Sequence, residues 1–104
     1  MLKENDEIKI SGKKLLNALS IIEFFLISLK NITRYYYDNK YPNIDKIGYE
    51  KEIVKFIEDK HLIKELSKLR SILSENFNNE LGKDDMNDIE REIEKINFWK
   101  KPGD

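Results

Sequence analysis

The sequence lacks cysteine and contains only one histidine, four glycines and two prolines among its 104 residues. Without cysteine the chain forms neither disulfides nor thiolate metal sites. Most metal centres and acid–base sites need several clustered ligating or titratable side chains, which the lone His61 does not provide. No glycine-rich phosphate loop or calcium-loop pattern is visible. We therefore predict a protein that is not an enzyme and has no cofactor, no metal ion and no small-molecule substrate.

The scarcity of glycine and proline also favours helices over a turn-rich β fold. Charged residues make up 38% of the chain and hydrophobic residues 39%. Because the hydrophobic residues recur at helical spacing, we expect a folded domain rather than a disordered chain. The length predicts a single helical domain spanning residues 1–104, with residues 1–10 as a flexible arm. No signal-peptide pattern is visible, so we predict a cytoplasmic protein.

The longest apolar stretch lies within residues 15–37 and is predicted to be the central helix. Its best-spaced apolar residues are Leu15, Leu19, Ile22, Leu26 and Leu29. Steps of four and three positions place them on one helix face. Further apolar residues widen this face, as in a helix at the middle of a bundle or at a subunit interface. From Leu15 to Leu29 the stretch is shorter than the ~20 residues that span a bilayer, and Asn17, Ser20 and Glu23 interrupt it, so no membrane span is predicted.

The remaining pattern predicts an all-α fold, a compact bundle of four or five helices around the central helix. Ser11 is expected to cap the first helix, and Pro42 prevents its continuation. Phe98 and Trp99 are predicted to cap the core. Whether residues 49–80 form one helix or two is left open by the sequence. The predicted helical segments are about 11–39, 49–58, 60–79 and 84–97.

Three consecutive tyrosines at residues 35–37 follow the apolar stretch. On a helix their side chains point about 100° apart, and Tyr36 continues the apolar face. Tyr35 and Tyr37 then lie either at the end of the bundle with their hydroxyls in water or on a contact surface. Stacking on nucleic-acid bases is a third option, because basic residues lie nearby. These basic residues are Lys30, Arg34, Lys40 and Lys46.

Acidic residues are concentrated toward the end of the chain. Residues 71–94, here called the acidic block, contain eight acidic and two basic residues, a net charge of −6, whereas the whole chain carries −1. Asp84, Asp88 and Glu92 follow at i,i+4 spacing on the predicted last helix, where like charges are unfavourable. The block is either a capped, solvated helix or a surface that docks on a basic partner. The predicted partner-binding residues are Glu80, Asp84, Asp85, Asp88, Glu92, Tyr35 and Tyr37.

Two segments near the end of the chain, ELGKDDMNDIER at residues 80–91 and WKKPGD at 99–104, carry a family resemblance. They resemble the ends of small all-α bacterial immunity proteins, including those paired with contact-dependent growth-inhibition toxins. The resemblance implies a cytoplasmic protein that binds a cognate toxin domain, often a nuclease with a basic surface, and blocks its active site. It implies neither a membrane nor direct nucleic-acid binding.

Two other functions remain compatible with the residues. One is a nucleic-acid-associated or regulatory helical protein that uses the basic residues and the tyrosines. The other is a structural homodimer, or a larger homo-oligomer, built on the surplus apolar face of the first helix.

Overall fold

Four α-helices and one short 3₁₀ helix make up the regular structure, and no strand is present. The computed structural model describes all 104 residues. The prediction of an all-α fold is therefore confirmed. In chain order the elements are the 3₁₀ helix Lys3–Asn5, α1 Gly12–Tyr37, α2 Lys46–Asp59, α3 Leu62–Ser74 and α4 Asp88–Glu94.

The contacts divide the chain into two compact units, whereas the length predicts one domain. The terminal unit joins residues 1–10 to residues 74–104 and contains α4. The helical unit consists of residues 11–73 and contains α1, α2 and all of α3 except its last residue, Ser74. Within the helical unit, α1 and α2 pack against each other.

Side-chain caps determine where α1 and α2 begin. The Ser11 hydroxyl oxygen accepts a hydrogen bond from the Lys14 amide at 3.2 Å, so the predicted cap of the first helix is confirmed. The Asp45 carboxylate accepts a hydrogen bond from the Gly48 amide at 2.9 Å. Because this cap satisfies an amide that has no partner within the helix, α2 begins at Lys46 and not near residue 49.

The region from residue 49 to residue 80 contains two helices, separated by a break at His61. The backbone of His61 has a φ of 51°, a left-handed conformation that interrupts a right-handed helix. Its carbonyl accepts a hydrogen bond from the Glu65 amide at 2.9 Å, which opens α3. The predicted end of this segment near residue 79 is wrong, because α3 ends at Ser74.

The side of α1 that packs inward differs from the predicted one. Ala18 and Phe25 are 1% and 7% exposed and are the buried residues of the helix. The Phe25 ring lies 5.9 Å from the ring of Phe56 on α2, in an edge-on arrangement. Half-buried Ile21 and Ile32 continue the same stripe. This inner stripe is therefore the part of α1 that forms the core.

The predicted core face of α1 is instead on the surface. Its residues are 38–46% exposed: Leu15 at 41%, Leu19 at 46%, Ile22 at 38% and Leu26 at 45%. Only Leu29 of the predicted set is half-buried. The physical reason is that the two stripes are adjacent on the helix and equally well spaced, and α2 covers the stripe that contains Phe25. We call Leu15, Leu19, Ile22 and Leu26 the outer stripe.

The segment predicted as a flexible arm has defined contacts in the terminal unit. Asn5 is 4% exposed. Its side-chain amide nitrogen, Nδ2, donates hydrogen bonds to the Asn78 backbone carbonyl at 3.0 Å and to the Asp88 carboxylate at 2.7 Å. The Asn78 amide donates in return to the Asn5 side-chain oxygen at 2.8 Å. The Leu2 amide donates to Asp88 at 2.8 Å. Residues 1–10 are thus tied to residues 74–104 by directional bonds.

The last helix is shorter than the sequence predicts. It begins at Asp88 because Asn87 forms a capping box with Glu90, in which each side chain accepts a hydrogen bond from the other residue's amide. It ends at Glu94, so the residues that follow lie outside any helix. Phe98 and Trp99 are 59% and 84% exposed, and the prediction that they cap the core is wrong.

By length and apolar composition alone, α1 could cross a membrane. This is a weak indication, because core helices of soluble proteins and signal sequences share these properties. Little of α1 is covered, however: 11% of its apolar window is buried. The helix therefore presents an apolar surface that the rest of the helical unit leaves largely uncovered.

Candidate partner-binding surfaces

The aromatic end of α1 forms what we call the tyrosine patch, which consists of Tyr35, Tyr36, Tyr37 and Tyr49. Tyr36 and Tyr37 both contact Tyr49 of α2, with ring centroids 6.0 and 5.0 Å apart. Tyr35 packs edge-on against Tyr36 at 4.9 Å. Because each ring rests on another, the patch is a fixed aromatic surface and not a set of independent side chains.

The two tyrosines predicted to bind a partner differ in exposure. Tyr35 is 70% exposed, whereas Tyr37 is half-buried against Tyr49. The Lys40 ammonium lies 5.8 Å from the centre of the Tyr35 ring, within the range of a cation–π interaction. Tyr35 is therefore the more exposed of the two rings, and Tyr37 packs inside the patch.

Polar contacts support the interior of the patch. The Thr33 hydroxyl lies 3.3 Å from the Tyr49 hydroxyl, and either group can donate. Burial, and to a lesser extent the nearby Glu52 carboxylate, raises the pKa of the Tyr36 hydroxyl. The Tyr36 ring supports Tyr35 through the contacts that it makes with the Tyr35 and Tyr49 rings. An open cavity of about 310 Å³ adjoins the patch, lined by Tyr35, Tyr36, Lys40, Asn43 and Asp45.

In the acidic block, one arginine organises the carboxylates. Arg91 donates to both oxygens of Asp84, from Nε at 2.7 Å and from Nη2 at 2.9 Å, in a bidentate pair. Its Nη1 donates to Asp88 at 2.8 Å, and Nη2 also donates to the Met86 carbonyl at 3.1 Å. We call Arg91, Asp84 and Asp88 the Arg91 cluster.

These contacts change how the cluster titrates. The hydrogen bonds from Arg91 hold the pKa of Asp84 well below its usual range. The hydrogen bonds from Asn5 and the Leu2 amide, together with Arg91, lower the pKa of Asp88. The Asp88 side chain is only 7% exposed. Asp88 is therefore an internal anchor of the terminal unit.

Only part of the predicted series of like charges lies on the last helix. Asp84 precedes α4, as does Asp85, whereas Asp88 and Glu92 lie within it at i,i+4 spacing. Asp85 has a φ of 58°, which places it in a tight turn. The prediction that Asp84 and Asp85 lie in the first turn of the helix is thus wrong, because the Asn87 cap starts the helix later.

Three of the five predicted acidic residues are exposed and lie outside the Arg91 cluster, whereas the Asp84 side chain is 40% exposed but paired with Arg91. Glu80 and Asp85 have exposed side chains outside the Arg91 cluster. Glu92 is also exposed and pairs with Lys95 at 2.9 Å, a contact in which both side chains are mostly in water. The acidic surface available to a partner is therefore smaller than the net charge of −6 indicates.

The predicted site residues fall into different units of the molecule. Glu80, Asp84, Asp85, Asp88 and Glu92 belong to the terminal unit, and Tyr35 and Tyr37 belong to the helical unit. The structure brings Asp84 and Asp88 together through Arg91 and joins the tyrosines through Tyr49. The acidic residues and the tyrosine patch are therefore two surfaces, one in each unit.

Sequence reasoning missed two residues of interest. Asn5 is the buried polar residue of the chain, but its partners Asn78 and Asp88 are 73 and 83 positions away, so no local pattern marks it. Trp99 is 84% exposed, and tryptophan is enriched at binding hot spots. Its position after the last apolar residues of the chain is equally consistent with a core residue, so the sequence did not single it out as exposed.

His61 lies at the junction of α2 and α3, with an exposed side chain. Its left-handed backbone gives it a structural role in ending α2. The structure contains no group of three or more histidine, cysteine or acidic residues arranged to hold a metal ion.

A scan against protein-family models, a search of the curated proteins and a search of the solved structures each found no match. The resemblance to immunity proteins thus stays a prediction from the sequence.

Proposed function

We propose that this chain is a cytoplasmic binding protein, without catalytic activity, that neutralises a bacterial protein toxin by covering its active site. The observation that carries the proposal is the rigid, exposed ring of Tyr35. It is 70% exposed yet rests edge-on against Tyr36. A large aromatic ring that is already fixed loses little conformational entropy on binding, which is typical of an interface anchor.

The partner that suits the chain carries a basic surface, as a nuclease does. Glu80, Asp85 and Glu92 supply negative charge that would accelerate association with such a surface. The Arg91 cluster contributes by fixing the turn before α4 and not by direct contact. Tyr37 contributes by supporting the patch through Tyr49.

The bundle predicted around α1 is part of the same proposal. α2 covers the inner stripe of α1, and the outer stripe has no cover within the helical unit. We propose that α1 becomes the central helix of a bundle when another chain covers the outer stripe.

The proposal predicts that a neighbouring gene encodes a toxin domain, and the test uses that domain, with growth protection and binding kinetics as readouts. Tyr35→Ala should raise the dissociation rate about tenfold or more, because it removes an aromatic anchor. Tyr35→Phe is the matched control and should keep the wild-type rate, because it retains the ring. Absence of both protection and binding for the wild-type protein would refute the proposal.

A second pair of variants tests the charge. Reversing Glu80 and Asp85 together to lysine should slow association and weaken its dependence on salt, because exposed charges act mainly on the encounter and are screened over ~8 Å. Glu58→Lys on α2 is the control for a charge change elsewhere. Equal association rates for the Glu80/Asp85 variant and the wild type would remove the acidic residues from the interface.

A further inference from the structure

The outer stripe of α1 has the spacing of a helix–helix seam. Leu15, Leu19, Ile22 and Leu26 follow steps of four, three and four positions. With Leu29 as the next apolar position, the steps of four, three, four and three average 3.5 residues, the repeat with which two helices pack knobs into holes. All four side chains are 38–46% exposed, although α1 already packs on α2 through its inner stripe. The helix thus has a second packing face that no other helix of the helical unit covers.

A groove continues the outer stripe toward the end of α1. It has a volume of about 370 Å³ and is lined by Leu26, Leu29, Lys30, Thr33 and Arg34. Its floor is apolar and its rim carries two positive charges. An occupant should therefore offer an apolar side chain next to a carboxylate.

The same helix contains such a pair one turn before the groove. Ile22 belongs to the outer stripe, and Glu23 follows it on the exposed surface. Glu23 and Lys30 are seven positions apart, so they lie on one side of the helix about 10 Å from each other along its axis. Neither forms an ion pair within the chain.

We propose that a second copy of this chain covers the outer stripe, with the two α1 helices antiparallel about a two-fold axis beside residues 27 and 28. In this register Ile22 enters the groove of the partner beside the partner's Thr33, and Leu26 meets the partner's Leu29. Glu23 of each chain then lies against Lys30 of the partner subunit. The contact is self-complementary, as a two-fold interface requires.

The charges select the antiparallel arrangement over a parallel one. In a parallel pair, the positions facing Glu23 and Lys30 across the seam are Ala18 and Phe25, by heptad spacing. Both are buried residues of the inner stripe. Only the antiparallel register gives each exposed charge an opposite partner.

The experiment measures the oligomeric state of the full chain by sedimentation velocity over a range of concentrations. The wild type should dimerise. Glu23→Lys and Lys30→Glu should each weaken dimerisation about tenfold, because each variant places like charges together twice across the two-fold axis. The double variant Glu23→Lys/Lys30→Glu should restore wild-type affinity. Glu50→Lys on α2 is the matched control and should have no effect.

Three results would overturn the proposal. The first is a monomer at every concentration, and the second is a dimer that the single charge reversals leave unchanged. The third is a monomer in water that binds phosphatidylcholine vesicles, because the outer stripe would then be a lipid-facing surface. All of the charged positions are exposed, so circular dichroism should show the same helicity for every variant.

Discussion

A single guanidinium group neutralises two of the five acidic residues that the sequence marks for partner binding. Arg91 holds Asp84 through two parallel hydrogen bonds and Asp88 through a third. The predicted carboxylates outside this cluster, Glu80, Asp85 and Glu92, therefore carry the electrostatic part of the proposed function. The i,i+3 spacing in the sequence allows Arg91 to pair with either Asp88 or Glu94, and the structure shows the Asp88 pair. The sequence does not reveal the Asp84 pair, because that contact depends on the path of the turn before α4.

The Arg91 cluster should make stability depend on pH in the acid range. The folded state lowers the pKa of Asp84 and Asp88 below the ~3.9 of an unfolded chain, so it binds fewer protons there. Their stabilising contribution is complete above about pH 4 and is lost as the pH falls through the folded-state values.

The measurement is the midpoint of denaturant unfolding between about pH 5 and pH 2. Asp84→Asn should start from lower stability and lose less of it on acidification than the wild type. Glu92→Gln is the control, because the Glu92 pair with Lys95 is exposed to solvent. An acid dependence of Asp84→Asn that parallels the wild type would contradict this role of Arg91.

Two adjacent residues of α1 should differ strongly in their contribution to stability. Phe25→Ala should lower the free energy of unfolding by about 3–5 kcal/mol, because it removes a buried ring. The centroid of that ring lies 5.1 Å from the Phe24 ring centroid and 5.9 Å from the Phe56 ring centroid. Leu26→Ala should cost about 0.5 kcal/mol or less, because Leu26 is on the surface.

The measurement is denaturant unfolding of both variants. It is made at protein concentrations at which the chain is monomeric, so that contacts between copies do not contribute. Equal losses at the two positions would mean that the inner stripe is not the core of the helical unit. A larger loss for Leu26→Ala would assign that role to the outer stripe.

At the scale of elements, capping residues account for most of the differences between predicted and observed boundaries. Ser11 was predictable, because a serine directly before an apolar periodic stretch is a common helix start. Asn87 and Glu90 also form a recognisable capping-box pattern, but the acidic residues before them favour an earlier start. Asp45 was less evident, because Gly48 in the first turn is unfavourable for a helix.

Gly48 should be intolerant of substitution although it lies in a helix. A methyl group at this position would overlap the Asp45 carboxylate and lie 3.0 Å from a ring carbon of Tyr36. Gly48→Ala should therefore destabilise the helical unit, despite the ~0.5–1 kcal/mol that alanine gains over glycine in a helix. The cap and the packing of the tyrosine patch would both have to shift.

Gly12 provides the matched control, because it lies in the first turn of α1 and a methyl group added there would meet no atom within 4 Å. Gly12→Ala should leave the thermal midpoint unchanged or raise it slightly. If Gly48→Ala also raised the midpoint, the Asp45 cap would not be needed for the start of α2.

The faces of α1 show what periodicity can and cannot predict. The apolar stretch predicted a long helix, and α1 covers residues 12–37. The inner and outer stripes lie about a quarter-turn apart on its surface, and each has helical spacing. Periodicity alone therefore could not decide which stripe meets α2. The choice depends on where Phe56 and Tyr49 lie, which is a property of the folded chain.

At the scale of the whole molecule, the sequence predicted an all-α chain and not its division into two units. Local patterns specify helices, because the interacting residues are only three or four positions apart. The terminal unit depends on hydrogen bonds between residues 73 to 86 positions apart. Periodicity in the sequence does not indicate contacts between such distant residues. The sequence therefore predicts a flexible arm for residues 1–10.

The antiparallel dimer predicts that thermal stability depends on protein concentration. Because dimerisation binds only the folded state, raising the concentration should raise the unfolding midpoint. Glu23→Lys should flatten this dependence, and Glu50→Lys should retain it. Differential scanning calorimetry at several concentrations measures the effect. At a concentration about 100 times the dissociation constant, binding stabilises the folded state by ~2.7 kcal/mol. A wild-type midpoint that stays constant over roughly a hundredfold range of protein concentration would therefore contradict the dimer.

The pairing of residues 1–10 with residues 74–104 also sets an order of events on the ribosome. Asn5 leaves the exit tunnel early, but its partners Asn78 and Asp88 are translated roughly 4–17 s later at ~5–20 residues per second. During that interval α1, α2 and α3 can form while the first ten residues wait. The terminal unit is therefore the last part of the nascent chain to close, and a product that stops before residue 74 cannot close it at all.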